Sequence, residues 1–130
     1  MRGPALLRCA AAALCACATP AQAASALDFD VWMRAIDARS VAVQKHIAAG
    51  DTPAAEDDAR ELERLYALTQ DWFARDGASA DAVAIALDGR ALAASIPASL
   101  AARDLEHAAL SARGIARACN DCHDNYKPFK

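Results

Sequence analysis

Aromatic side chains are scarce in this chain: three phenylalanines, two tryptophans and two tyrosines make up 5% of 130 residues. Each one present is therefore worth locating. Glycine and proline are scarce too, five of each, which excludes collagen-like or low-complexity chains. No alternating Val/Ile/Thr run occurs, so a β-sheet has no sequence support. Positive charge is not in excess: 14 basic residues face 17 acidic ones for a formal net charge of −3, which argues against nucleic acid as an electrostatic partner. No apolar run reaches the roughly 18–20 residues of a membrane-spanning helix, and the longest is short and at the very start. What remains is a chain of one-domain length, 55% hydrophobic by a count that includes alanine, and too apolar to be disordered.

The start reads as a leader. Met1, Arg2 and Arg8 give a basic head, residues 5–18 are apolar but for Arg8, and Ala21-Gln22-Ala23 fits a small-x-small cleavage site. Together they predict a secretory signal peptide over residues 1–23, with the exported chain 24–130 soluble and periplasmic. Cys17, within Leu14-Cys15-Ala16-Cys17, is an alternative as a lipidated residue, although cysteine is an unusual occupant of the second place of such a signal. Cleavage removes Arg2 and Arg8, which leaves 12 basic residues against 17 acidic ones and a formal charge of −5. It also removes Cys9, Cys15 and Cys17. One close pair, Cys119 and Cys122, survives, and no disulfide framework is left.

The rest reads as four helices. Residues 25–50 form the first, with Ser25 as N-cap, Asp28 three residues on and Gly50 as the left-handed stop. Phe29, Met33, Ile36, Ser40, Val43 and Ile47 step by four and three along its inner face. The second runs from a Thr52 cap and Pro53 to about residue 75, burying Leu62, Leu65, Tyr66, Thr69, Trp72 and Phe73. Glu56, Asp57, Asp58, Glu61 and Glu63 read as its solvated face, one that also suits steering of a basic redox partner. The third covers about 79–95 with Ile85, Gly89, Leu92 and Ile96 in step, and Pro97 is expected to end it. Ser99 then caps a fourth, in which Ala101, Leu105, Ala108, Ala112, Ile115, Cys119 and Cys122 form one seam. Short connections predict an all-α, up-down-up-down antiparallel four-helix bundle. In that topology Phe29, Trp32, Trp72, Phe73, Tyr126 and Phe129 gather at one end, opposite the small Ala108 and Ala112, leaving room for something flat and large.

At that end stands Cys119-Asn120-Asp121-Cys122-His123, the C-x-x-C-H signature of covalent c-type haem attachment. Cysteines three apart share a helical face and can form thioethers with two vinyl groups, and the next residue, His123, turns an imidazole toward the iron as proximal ligand. Three other uses of these residues compete. A thioredoxin-like dithiol wants a βαβ setting that the chain lacks. A zinc site would add His107 to Cys119, Cys122 and His123, but His107 lies off the inward seam. A structural disulfide would close only a tiny loop of little entropic value.

A four-helix bundle from an exported precursor, with C-x-x-C-H near the C-terminus followed by Tyr126 and Lys127, resembles the cytochrome c′ family and its low-spin relatives. The likeness covers the exported chain in architecture but only residues 119–127 in motif. It implies that Cys119 and Cys122 carry haem c, that His123 is the proximal ligand and that Lys127 matches the family's basic residue near that histidine. The link between the second and third helices, residues 76–78, is shorter than the crossover many family members carry. In the family a methionine from the first helix either closes the distal face, which suits electron transfer, or the face is apolar and open to small gases. Met33 is the only methionine left after cleavage and falls on the first helix's inner face at the haem end, so it is the candidate distal ligand. His46, thirteen residues on and roughly 20 Å along the axis, is out of reach of the same iron.

Two functions follow from this resemblance. One is a non-enzymatic electron carrier with His123/Met33 ligation, exchanging electrons with redox partner proteins. The other is a five-coordinate protein binding nitric oxide or carbon monoxide against an apolar wall of Trp32, Met33 and Ile36. A bundle with no cofactor, serving structure or partner binding, is the third class and would be colourless. The chain is expected to be a monomer, or a homodimer through apolar residues such as Val31 and Val41.

Overall fold

The computed structural model describes residues 23–75, 77 and 80–125. The signal-peptide segment, apart from Ala23, and the tail with Tyr126, Lys127 and Phe129 lie outside them. Four helices follow one another: α1 (Ala26–Ala49), α2 (Thr52–Arg75), α3 (Ala80–Ala101) and α4 (Leu105–Asn125). Each packs on its neighbours in the chain, α1 also packs on α4, and the backbones of the diagonal pairs stay apart, so the helices stand as a square bundle. The α1–α4 seam is the thinnest of the four.

The helix ends have local causes. At Ser25 a capping box closes α1: the Asp28 amide donates to Ser25 Oγ at 3.2 Å and the Ser25 amide to Asp28 Oδ2 at 2.7 Å. Gly50 takes φ +71°, where a side chain would be strained, and lets its own amide and that of Asp51 reach the Ile47 and His46 carbonyls. α2 is capped one residue earlier than the sequence suggests. Asp51 Oδ1 accepts from the Ala54 amide at 3.2 Å, and Thr52 is already helical.

Proline 97 does not end α3, contrary to expectation; the helix runs through it to Ala101. Pro97 forfeits the bond to the Ala93 carbonyl, a defect of about 3 kcal/mol. On either side Ile96 (0% exposed) and Leu100 (5%) are buried, and at about 1.5–3 kcal/mol each their burial outweighs that defect. A Schellman turn then closes α3, with Arg103 at φ 59° and the Asp104 amide on the Ser99 carbonyl. Asp104, not Ser99, caps α4 by accepting from the His107 amide at 3.0 Å.

The core follows the expected seams of α1, with Ile36, Ser40, Val43 and Ile47 buried. α2 buries Leu62, Leu65, Tyr66 and Thr69 as expected, together with Ala55, Asp58 and Ala59. Asp58 is thus a correction: it is 2% exposed, inside the bundle, not on the solvated face. It accepts from Arg39 Nη1 and pairs with His46 Nδ1 at 2.6 Å, both on α1. A buried carboxylate needs such partners, because an unpaired charge out of water costs several kcal/mol.

α3 also turns differently from the expected stripe. Ala82, Ala86, Gly89, Ala93, Ile96 and Leu100 face inward, while Ile85 and Leu92 are only half-buried. With alanines on every side and its few charges, Asp81, Asp88 and Arg90, spread around it, α3 carries little direction in its hydropathy. Among the described residues it is the one helix long and apolar enough to cross a membrane; here it packs between α2 and α4. Ala108 and Ala112 are fully buried in the mid-core rather than beside the cleft described next.

Candidate functional site

The antiparallel topology brings the start of α1, the end of α2, the start of α3 and the end of α4 together, and a narrow cleft with about 40 Å³ of free space lies among them. That is well short of the roughly 300–1,000 Å³ of a preformed cofactor site, so a large group would be seated there only by spreading the helix ends. From α1 come Met33, Ile36 and Asp37; from α2, Tyr66, Thr69 and Phe73. α3 gives Ala82, Ile85 and Ala86, and α4 gives Ala118, Cys119, Cys122 and His123. All four helices therefore contribute, and the walls are chiefly apolar. The small residues that open the space are Ala82, Ala86 and Ala118, not Ala108 and Ala112.

Cys119 and Cys122 lie one helical turn apart on α4 with both thiols free. Cys119 packs against the hydrophobic core, and Cys122 is less deeply buried. His123 lines the cleft at its exposed rim. Met33, half-buried on α1, lines the same cleft, so the structure brings together all four candidate site residues. Trp32 does not line it; the tryptophan packs on the core beside Met33. Phe29 stacks on Trp72 at 5.3 Å between ring centroids and meets Phe73 edge-on at 5.5 Å. This cluster joins α1 to α2 at the cleft end, as the placement of aromatics in the sequence suggested.

Electrostatics narrow the chemistry. Burial pushes the Cys119 thiol up from its ordinary value, a push that the Tyr66 hydrogen bond partly opposes, and burial followed by the neighbouring Cys119 pushes Cys122 up. Redox-active C-x-x-C motifs do the reverse, lowering a thiol to make a thiolate. These thiols are un-ionised at neutral pH, and among the described residues no strand is present, so a thioredoxin-like dithiol has neither the electrostatics nor the setting. The zinc set fails on distance. His107 stands twelve residues before Cys119, about 18 Å along the axis, exposed beside Asp104. Among the described residues no three His, Cys, Asp or Glu side chains converge as metal ligands.

Sequence reasoning missed Tyr66 as a site residue. It is 5% exposed, with its hydroxyl 3.4 Å from Cys119 Sγ. Burial first, then the Cys119 neighbour, pushes this phenol far above its ordinary value, so it stays protonated. The seam spacing Leu62–Tyr66–Thr69 held the signal, but nothing in it named Cys119 as the partner. Asp37 at the cleft was missed as well; it lies one residue off the seam position Ile36.

No protein-family model, no curated protein and no solved structure matches this chain.

Proposed function

We propose that the chain is an exported monohaem c-type cytochrome of cytochrome c′-like architecture that carries single electrons. The observation that carries this reading is that Cys119, Cys122, His123 and Met33, from the two ends of the chain, line one apolar cleft. The donor set fits covalent haem: two un-ionised thiols a helical turn apart on one face, with an imidazole beside them at the rim.

In this reading the Cys119 and Cys122 thiols hold the group by thioethers, and His123 supplies the proximal nitrogen. Met33 offers a thioether sulfur from the facing helix. Ile36, Phe73 and Ile85 exclude water. A haem so held supplies a one-electron iron couple, and a His/Met pair raises its potential. With its leader removed, such a protein would work in the periplasm.

A second reading, five-coordinate binding of nitric oxide or carbon monoxide, draws on the same apolar walls, with Met33 and Ile36 as packing residues rather than Met33 as a ligand. The ferrous spectrum of protein co-expressed with haem-maturation machinery decides between them. A sharp low-spin spectrum, indifferent to carbon monoxide and turned high-spin by Met33→Ala, is the expected result. A broad spectrum that shifts with the gas and is indifferent to Met33→Ala would favour gas binding, and a colourless protein would end both readings.

A further inference from the structure

We infer that Tyr66 is a positioning residue for Cys119: with its ring seated on Gly89 of α3, its hydroxyl holds the Cys119 sulfur on the cleft side of α4. The inference rests on reading Cys119 as an attachment cysteine. Tyr66 Oη lies 3.4 Å from Cys119 Sγ, and a phenol so deeply buried needs a polar partner. The ring cannot drift toward α3 and away from the sulfur's reach without meeting backbone. It lies where a side chain at position 89 would be, since a Cβ there would stand 2.5 Å from Tyr66 Cε1. Glycine at 89 thus admits the ring, and three helices meet at this contact.

The bond is compatible with attachment. A thiol can donate or accept, whereas a thioether sulfur can only accept, and the phenol hydrogen serves both states. In forming each thioether the S–H adds across a vinyl C=C: sulfur bonds the carbon next to the ring system, the hydrogen goes to the outer carbon, and nothing is released. Cys122, less deeply buried, needs little help to meet its vinyl group. Cys119 sits deeper, against the core, and without the hydroxyl its sulfur is free to turn into other rotamers.

Tyr66→Phe keeps the ring and removes the hydrogen bond. In protein co-expressed with haem-maturation machinery, peptide mass analysis should find a several-fold larger fraction with haem attached through Cys122 alone. In the reduced full chain without haem, iodoacetamide should alkylate Cys119 roughly threefold to tenfold more slowly in Tyr66→Phe, the scale of one net hydrogen bond, because the lost bond favours the thiolate that reacts, with Cys122 unchanged. Equal singly attached fractions, an unchanged rate at Cys119, or an equal change of rate at both cysteines would overturn the assignment. A nuclear Overhauser contact between the Tyr66 ring and the Cys119 β-protons checks the geometry in the unsubstituted haem-loaded protein, and its absence would also overturn it. If haem never attaches to the unsubstituted chain, the proposed function falls, and the alkylation rates still decide the role of Tyr66.

Discussion

Replacing Asp58 by alanine is the sharpest test of how α1 and α2 are joined. The carboxylate is 2% exposed and takes hydrogen bonds from Arg39 and His46, whose side chains remain 46% and 38% exposed. Removing one member of a fully buried ion pair costs about 3–5 kcal/mol, chiefly because the other charge is left dry. Here the survivors are the half-exposed members, which water can reach, so the loss should fall nearer the strength of one or two charge-assisted bonds, about 2–3 kcal/mol. For a bundle of this size that is a melting-temperature drop of about 10 °C or more. Urea titrations followed by helical circular dichroism, with parent and variant in the same state of haem loading, measure it. A double-mutant cycle with Arg39→Ala then apportions the loss between the two partners. A change below about 0.5 kcal/mol, the scale of a surface substitution, would refute the argument that this carboxylate is structurally engaged.

Other perturbations test other joints. Gly89→Ala should lower the melting temperature even though alanine favours helix by about 1 kcal/mol, because its Cβ would run into the Tyr66 ring and overpacking costs about 1–3 kcal/mol. Pro97→Ala should raise stability in urea by about 1–3 kcal/mol by restoring the bond to the Ala93 carbonyl. Alkaline titration of the haem-free chain should destabilise it. Cys119, Cys122 and Tyr66 are held above their ordinary values of 9.0, 9.0 and 10.0, so stability is full below those values and declines as pH rises and the unfolded chain ionises first. Thioether formation removes both thiols, and the alkaline decline should then shrink. In acid the sign reverses for Asp28, whose carboxyl the Ser25 backbone and side-chain hydrogen bonds hold low. That contribution is present above about pH 4 and lost as pH falls, and Ser25→Ala, which removes the hydroxyl bond but keeps the stronger backbone one, should reduce it without abolishing it.

Much of the bundle was legible because its signals are local. Ser25 with Asp28, and Gly50 after Ile47, mark the limits of α1 within a few residues of chain, and the structure bears out both. Pro97 misled for the same reason. Its cost is local and visible, whereas the burial of Ile96 and Leu100 that outweighs it comes from neighbouring helices. Asp58 was read by its charge among other acids. Its step of three from Ala55 and four to Leu62, both buried, would have placed it inside had spacing been weighed above residue type.

The site divides along the same line. Cys119 through His123 is a motif of five consecutive residues, readable without knowing what any other helix does, and Met33 could be placed because α1 has a clear inner face and one methionine. Tyr66 and Gly89 are another matter, since their relation to Cys119 depends on how far α3 is rotated about its axis. Alanines surround α3, so hydropathy leaves that rotation open and points to Ile85 and Leu92 as the inner residues. The structure turns it so that Gly89 receives the Tyr66 ring. A tyrosine on one helix needs a residue without a side chain across from it, and that steric demand fixes the orientation that hydropathy leaves undetermined. The residue that orients α3 is thus the same one that seats the hydroxyl beside Cys119, so in this chain the packing of the bundle and the geometry of its cleft rest on a single contact.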